Sequence, residues 1–266
     1  MIHTGIFSDE ISQDLEEAAK VAKASGLERF EIRGVWGKNV SELTRPEIAK
    51  VKKIMKDYGL GVSDVGSPFL KCTMAEYDTH MKFLDKLIYE AHQWDTRLIR
   101  SFALTRVEPV EKTYEEFLDK IRPTVKIAEK ESVVFAIEMG HGSYVFDFEE
   151  GKKLKDVIPS DSLKYTWHVR RDYEPEKYRL CRGQVAHLHV SDSAKDPSNP
   201  RGARTTYIGE GDTPFRAIFR DLLKDGFEGT ASIEAGAVHW KDAGSDVIQR
   251  NARNLAAIIK DAQGTR

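Results

Sequence analysis

The chain has 266 residues, 40% of them hydrophobic and 32% charged, with a formal net charge of −2. This is the composition of a folded globular chain, and the near balance of charge offers no positive field to a nucleic-acid backbone. No run approaches the roughly 18 apolar residues of a membrane span, so no membrane-spanning helix is expected.

Short apolar or β-branched runs alternate with longer charged segments of helical period. "IHTGIF" (2–7) reads as the first strand. "SQDLEEAAKVAKASG" follows it as a helix, with Ser12 as the expected cap and Gly26 as a left-handed terminator. "RFEIR" (29–33) is the second strand, and "TRPEIAKVKKIMKDYG" repeats the helix grammar between Thr44 and Gly59. The remaining strands are "GVSDVG" (61–66), "RLIRSF" (97–102), "VVFAIE" (133–138), "KYTWH" (164–168), "VAHLHV" (185–190) and "TASIE" (230–234).

Eight strand and helix pairs with short connections predict the α/β class, as a single closed (β/α)8 TIM barrel. One domain over residues 1–266 is expected, since nothing resembles a linker. No GxGxxG follows the first strand, so a dinucleotide-binding sheet lacks its main mark. The least regular stretch, 191–212, follows strand seven and belongs on the C-terminal rim, where barrel sites sit. "MIHTGIFSDE" carries no secretory pattern, and Cys72 and Cys181, without CxxC spacing, read as free thiols. A cytoplasmic protein is expected.

His187 and His189 share one strand face, because alternation by two sends both side chains to the same side. They are either packed core histidines or part of a cation site. Glu138 ends strand five, His168 strand six and Glu234 strand eight, while His189 lies near the end of strand seven. Singly, each glutamate has an ordinary alternative in an arginine pair, and His168 in a satisfied core histidine. Jointly, two carboxylates and two imidazoles converging on a barrel mouth call for a neutralising divalent cation. His189 is preferred to His187, which then becomes an interior neighbour.

With these residues the chain resembles the xylose-isomerase-like, metal-dependent sugar (phosphate) isomerase and epimerase barrels, a superfamily that also holds a three-metal apurinic endonuclease. The resemblance runs from "GIFSDEIS" and "FEIRGVWGKNVSELT" through "VGSPFLK", "AIEMGHG", "TWHVRRDY", "HLHVSD" and "YIGEGDTPF" to "GFEGTASIEAG". It implies metal ligation by Glu138, His168, His189 and Glu234, with Glu138 and Glu234 also acting as acid and base. The family usually reads "TWD", then an asparagine, where this chain has His168 and Arg171, and "HVKD" where it has Ser191. A neutral nitrogen in place of an anionic oxygen shifts preference toward manganese, cobalt or zinc and away from magnesium, and manganese is expected first.

The implied reaction is isomerisation or epimerisation of a ketose or related sugar through an enediolate. The same intermediate could instead expel a leaving group, as in a branch acting on 3-keto glycosides, including C-glycoside cleavage. A non-catalytic sugar-binding barrel, a homo-oligomer and one subunit of a lyase complex are the other readings; abasic DNA ranks last. Glu10, Arg33, Ser67 and Arg100 fall near the rim as candidate substrate contacts, each with a structural ion pair or bond as its alternative. His141 could donate to substrate, and Trp36 and Trp240 could wall a pocket. "GEGD" (209–212) could seat a phosphate on backbone N–H groups, but Glu210 and Asp212 oppose it, so an unphosphorylated sugar is expected.

Overall fold

A computed structural model describes residues 1–200, 202–234 and 245–264. Its eight barrel strands are β1 (Ile2–Phe7), β2 (Arg29–Ile32), β3 (Gly61–Phe69), β4 (Leu98–Ser101), β5 (Val134–Glu138), β6 (Leu163–Val169), β7 (Val185–Val190) and β8 (Gly229–Ile233). They pair in parallel, each with its neighbour in sequence, and β8 closes onto β1. The fold is the (β/α)8 TIM barrel that the alternation predicts.

The helices that follow the eight strands are α1 (Leu15–Ala24), α2 (Arg45–Tyr58), α3 (Leu84–Gln93), α4 (Val110–Lys130), α5 (Phe148–Val157), α6 (Pro175–Arg179), α7 (Phe215–Lys224) and α8 (Ser245–Gly264), with a further short helix, Tyr77–Met81, ahead of α3. Among the described residues no helix is long and apolar enough to cross a membrane. Amphipathic spacing buries one stripe of each longer helix, such as Phe215, Ile218, Phe219 and Leu222 of α7. These stripes meet the outward strand residues, among them Phe30, Ile32, Ile99, Leu188 and Ile233, which are all buried. The alternate strand residues point into the barrel, and several of them are ionisable.

Two local readings are refined. Asp14, not Ser12, caps α1, accepting from the backbone N–H groups of Glu16 and Glu17 at 2.9 and 3.1 Å. Ser12 accepts from the Asp14 N–H and donates to Glu17 at 2.7 Å, so both residues serve the first turn and the carboxylate takes the stronger position. Thr44 and Gly59 bound α2 as expected, with Gly59 at φ +64° and Glu47 accepting from the Thr44 N–H at 2.7 Å.

The stretch after β7 is partly ordered by an antiparallel hairpin, Asp192–Lys195 against Ala203–Thr206. The Asp192 carboxylate accepts from the N–H groups of Gly209 and Gly211 at 2.9 Å and of Thr213 at 3.2 Å. A Cβ on Gly211 would lie 2.4 Å from that carboxylate, so the close approach requires glycine. These N–H groups, which the sequence raises and disfavours as a seat for phosphate, are filled from within by an anion of the chain itself.

Glu90 on α3 is fully buried, and neither carboxyl oxygen has a hydrogen-bond partner among the described residues. Burial pushes its carboxyl up to about 8, against a weaker pull from Lys86. The folded chain therefore keeps a proton that the unfolded chain releases above its usual 4.5, so stability declines as pH rises between 4.5 and about 8. Glu90→Gln is expected to flatten that decline, gaining on the order of a few kcal/mol on the parent near pH 8 but not near pH 4. Denaturant melts of both proteins across this range check it; parallel pH profiles would contradict it.

Candidate metal centre

β2 and β7 are separated in the ring by β1 and β8, so a contact between them must cross the barrel interior. Glu31 of β2 makes two such contacts. Its Oε2 lies 3.0 Å from His187 Nε2 and 3.1 Å from His189 Nε2, and all three residues are fully buried. Glu31 Oε1 lies 3.4 Å from the buried Arg100 guanidinium on β4. Asp64 of β3 stands 3.6 Å from His187 Nε2 and accepts from the Ser63 hydroxyl at 2.6 Å. A Cβ at Gly66 would fall 3.1 Å from the Glu31 carboxylate, so this glycine leaves it room.

The charges of this cluster set one another. Burial alone would push the Glu31 carboxyl up, but His189, the two histidine hydrogen bonds and Arg100 together hold it well below the usual carboxylate range. His189 responds in the opposite sense: burial disfavours its cation, yet Glu31 and Glu138 outweigh that and raise it to about 9. Burial, and then the neighbouring Glu31 charge, push Asp64 up to about 6.

Above this layer lies the group expected at the strand ends. Donor atoms of His168, His189 and Glu234 all lie within 4.8 Å of one another. His168 Nδ1 is 3.3 Å from Glu234 Oε2, and its Nε2 is 3.1 Å from the Ser191 hydroxyl. Burial, His189 and Arg170 lower His168 to about 4, so it is a neutral imidazole, the form that ligates metals. Glu138 is in neither of the metal-capable groups found among the described residues; its Oε2 lies 3.4 Å from Arg100 instead.

These residues fit a divalent cation. Glu234 Oε2, Glu138 Oε2 and His189 Nδ1 are buried atoms with no hydrogen-bond partner. With Nε2 of His189 turned to Glu31, its Nδ1 is the nitrogen left for a metal, which would displace the proton that Glu31 and Glu138 otherwise favour on this ring, with the carboxylate orienting the histidine. In the tautomer with the proton on Nε2, His168 Nδ1 and Glu234 Oε2 are both acceptors and need positive charge between or beside them. The second group, Glu31, His187 and His189, is already joined by its own hydrogen bonds.

The other expected contacts divide. Arg100 is at the centre, and its Nη2 donates to Gly66 O at 3.0 Å. Arg33 pairs with Asp9 at 3.0 Å and Glu10 at 3.6 Å and stacks on Phe7, so Glu10 and Arg33 bind each other. Ser67 donates to Arg100 O at 2.5 Å inside the sheet. Trp36 carries Lys50 over its ring at 4.5 Å and packs on the core. His141 packs at a tilt against Phe146, ring centres 4.4 Å apart, in a side pocket. Trp240 lies outside the described residues.

Glu31 and Asp64 are not among the residues that the sequence singles out, and Ser191 stands out there only as a departure from the family's pattern. The available signal for the two acids is alternation: each is flanked by apolar residues two positions apart or nearly so, which turns it inward.

The model of the xylose isomerase-like TIM barrel family matches residues 19–258. The chain belongs to that family. Among solved structures, this xylose isomerase-like barrel superposes on an L-ribulose 3-epimerase with a TM-score of 0.77 at 16% identity, covering 99% of this chain and 96% of the other. It superposes on the IOLI protein with a bound zinc atom at a TM-score of 0.80 and 13% identity, covering 98% and 99%. A probable 3-DHS dehydratase from Bacillus anthracis gives a TM-score of 0.77 at 15% identity, covering 96% and 99%. No match is found among curated proteins. At such identities the likeness is one of fold.

His168 and Ser191, two of the positions where this xylose isomerase-like chain leaves the family's usual pattern, touch each other. In the tautomer whose Nε2–H donates to the hydroxyl, the Nδ1 lone pair faces Glu234. Ser191→Ala is expected to weaken Mn2+ binding about tenfold, with Ser191→Thr close to the parent, as measured by calorimetry. Equal affinity in all three would show that this hydroxyl does not orient His168.

Proposed function

We propose that this chain is a divalent-metal-dependent enzyme that removes and returns a proton beside the carbonyl of a ketose or related sugar, as an isomerase or epimerase. The observation that carries the reading is the grouping of His168, His189 and Glu234 donors at the barrel mouth with Glu138 beside them. His168, His189, Glu234 and Glu138 would hold the ion, manganese first, with cobalt, zinc or magnesium as alternatives. When bound, such an ion polarises a carbonyl as a Lewis acid.

The chain's own residues supply the rest. Glu138 and Glu234 come from strands separated by β6 and β7, so they approach a substrate from different sides. One takes the proton from the carbon next to the carbonyl and the other returns one to the opposite face, which inverts that centre. Return to the neighbouring carbon gives isomerisation. Arg100 orients Glu138, and Glu31 orients His189 from below. The internal Asp192 carboxylate, filling the backbone N–H groups of 209–213, supports an unphosphorylated substrate.

A lyase shares the first proton transfer and differs only in what the resulting enolate expels. The similarity of fold to both an epimerase and a probable dehydratase keeps that outcome beside the first.

The test is solvent deuterium uptake by a panel of ketoses with the Mn2+-loaded protein. Exchange at the carbon beside the carbonyl is expected, abolished by chelation and reduced at least about 10²-fold in Glu138→Gln and in Glu234→Gln. A loaded, folded protein that exchanges no ketose proton would overturn the reading in favour of a binding barrel.

A further inference from the structure

Beside His168, on the rim between β5 and β6, a cavity of about 210 Å³ opens outside the metal centre. Phe146, Phe148, Trp167 and Tyr173 wall it, with Met139 among them. Three of the rings adjoin one another: Phe148 meets Trp167 edge to face at 5.1 Å, and Trp167 lies 5.8 Å from Tyr173; Phe146 packs against His141 instead. For scale, an apolar cavity of about 150 Å³ accommodates benzene.

Several polar groups of these walls are engaged with the protein, whereas Arg170 and Asp172 also line the cavity. Asp147 accepts from the N–H groups of Glu149 and Glu150 at 2.7 and 3.3 Å, capping α5. Lys177 pairs with Glu174 at 3.0 Å, and the Tyr173 hydroxyl donates to Asp221 at 2.6 Å. A second sugar ring needs several free hydrogen-bonding groups around its edge, because each hydroxyl desolvated without a partner is costly. Aromatic side chains make up most of the apolar wall of this pocket, and they favour a flat ring. His168 forms part of both the cavity wall and the metal-capable group, so one molecule can span the two.

We infer that this cavity receives a flat aromatic group carried on the sugar, so that the substrate is an aryl-substituted sugar rather than a short free ketose. The place of the sugar rests on the function proposed above; the place of the ring rests on the cavity walls alone.

Calorimetry on the full chain, Zn2+-loaded and chelator-treated, with 4-nitrophenol as the probe, tests it. Saturable binding is expected in both forms, weakened at least about tenfold by Phe146→Ala and restored by Phe146→Tyr. Phe146 is 36% exposed, so its removal leaves the core intact. Cellobiose is expected not to displace the probe. Absence of saturable binding, equal affinity in Phe146→Ala, or displacement by cellobiose would each overturn the inference. Ring binding by a chain that takes up no metal would sink the metal reading and leave the ring site standing. Metal uptake and ketose exchange without ring binding would do the reverse.

Discussion

Everything at the mouth of this barrel depends on a carboxylate buried in its interior. Glu31 sits among apolar strands with no access to water, where an unpaired charge would cost several kcal/mol. His187, His189 and Arg100 answer it from the opposite and adjoining walls. Removing one member of such a buried set strands the rest, so the cluster holds its geometry as a unit. The side chains above it inherit that rigidity.

Arg100 and His189 carry this order upward. Arg100 lies 3.4 Å from both Glu31 and Glu138, which ties the interior layer to the carboxylate at the end of β5. His189 turns Nε2 down to Glu31 and leaves Nδ1 without a partner, near His168 and Glu234. Phe7 seals one side, its ring centre 4.9 Å from that of His189 and 5.5 Å below the Arg100 guanidinium. A layer of paired charge thus supports a layer of side chains whose donor atoms converge, which is the order a cation site requires.

The fold was legible because strand and helix carry different periods, and "VVFAIE" or "VAHLHV" cannot be mistaken for the charged helical runs beside them. The end-of-strand residues were legible for the same reason: in a parallel barrel the last residues of each strand face one rim. Glu31 was not, since "RFEIR" surrounds its acid with arginines and suggests a solvated pair, whereas the true partners lie 156 and 158 residues away. Ser191 depends on the pairing of His168 with His189 across β6 and β7, which fixes how far each strand end projects. Glu10 and Arg33 illustrate the converse, two rim residues that satisfy each other. The backbone N–H groups of the 209–213 turn likewise meet Asp192, a competitor that the glycines alone do not announce.

Anomalous diffraction from a crystal of the whole chain grown with Mn2+ bears most directly on the proposed centre. A single peak within coordination distance of His168, His189 Nδ1 and Glu234, with Glu138 swung from Arg100 to complete the set, is the expected result. A map with no peak at the barrel mouth, or one with the ion held elsewhere and these four side chains turned apart, would contradict it.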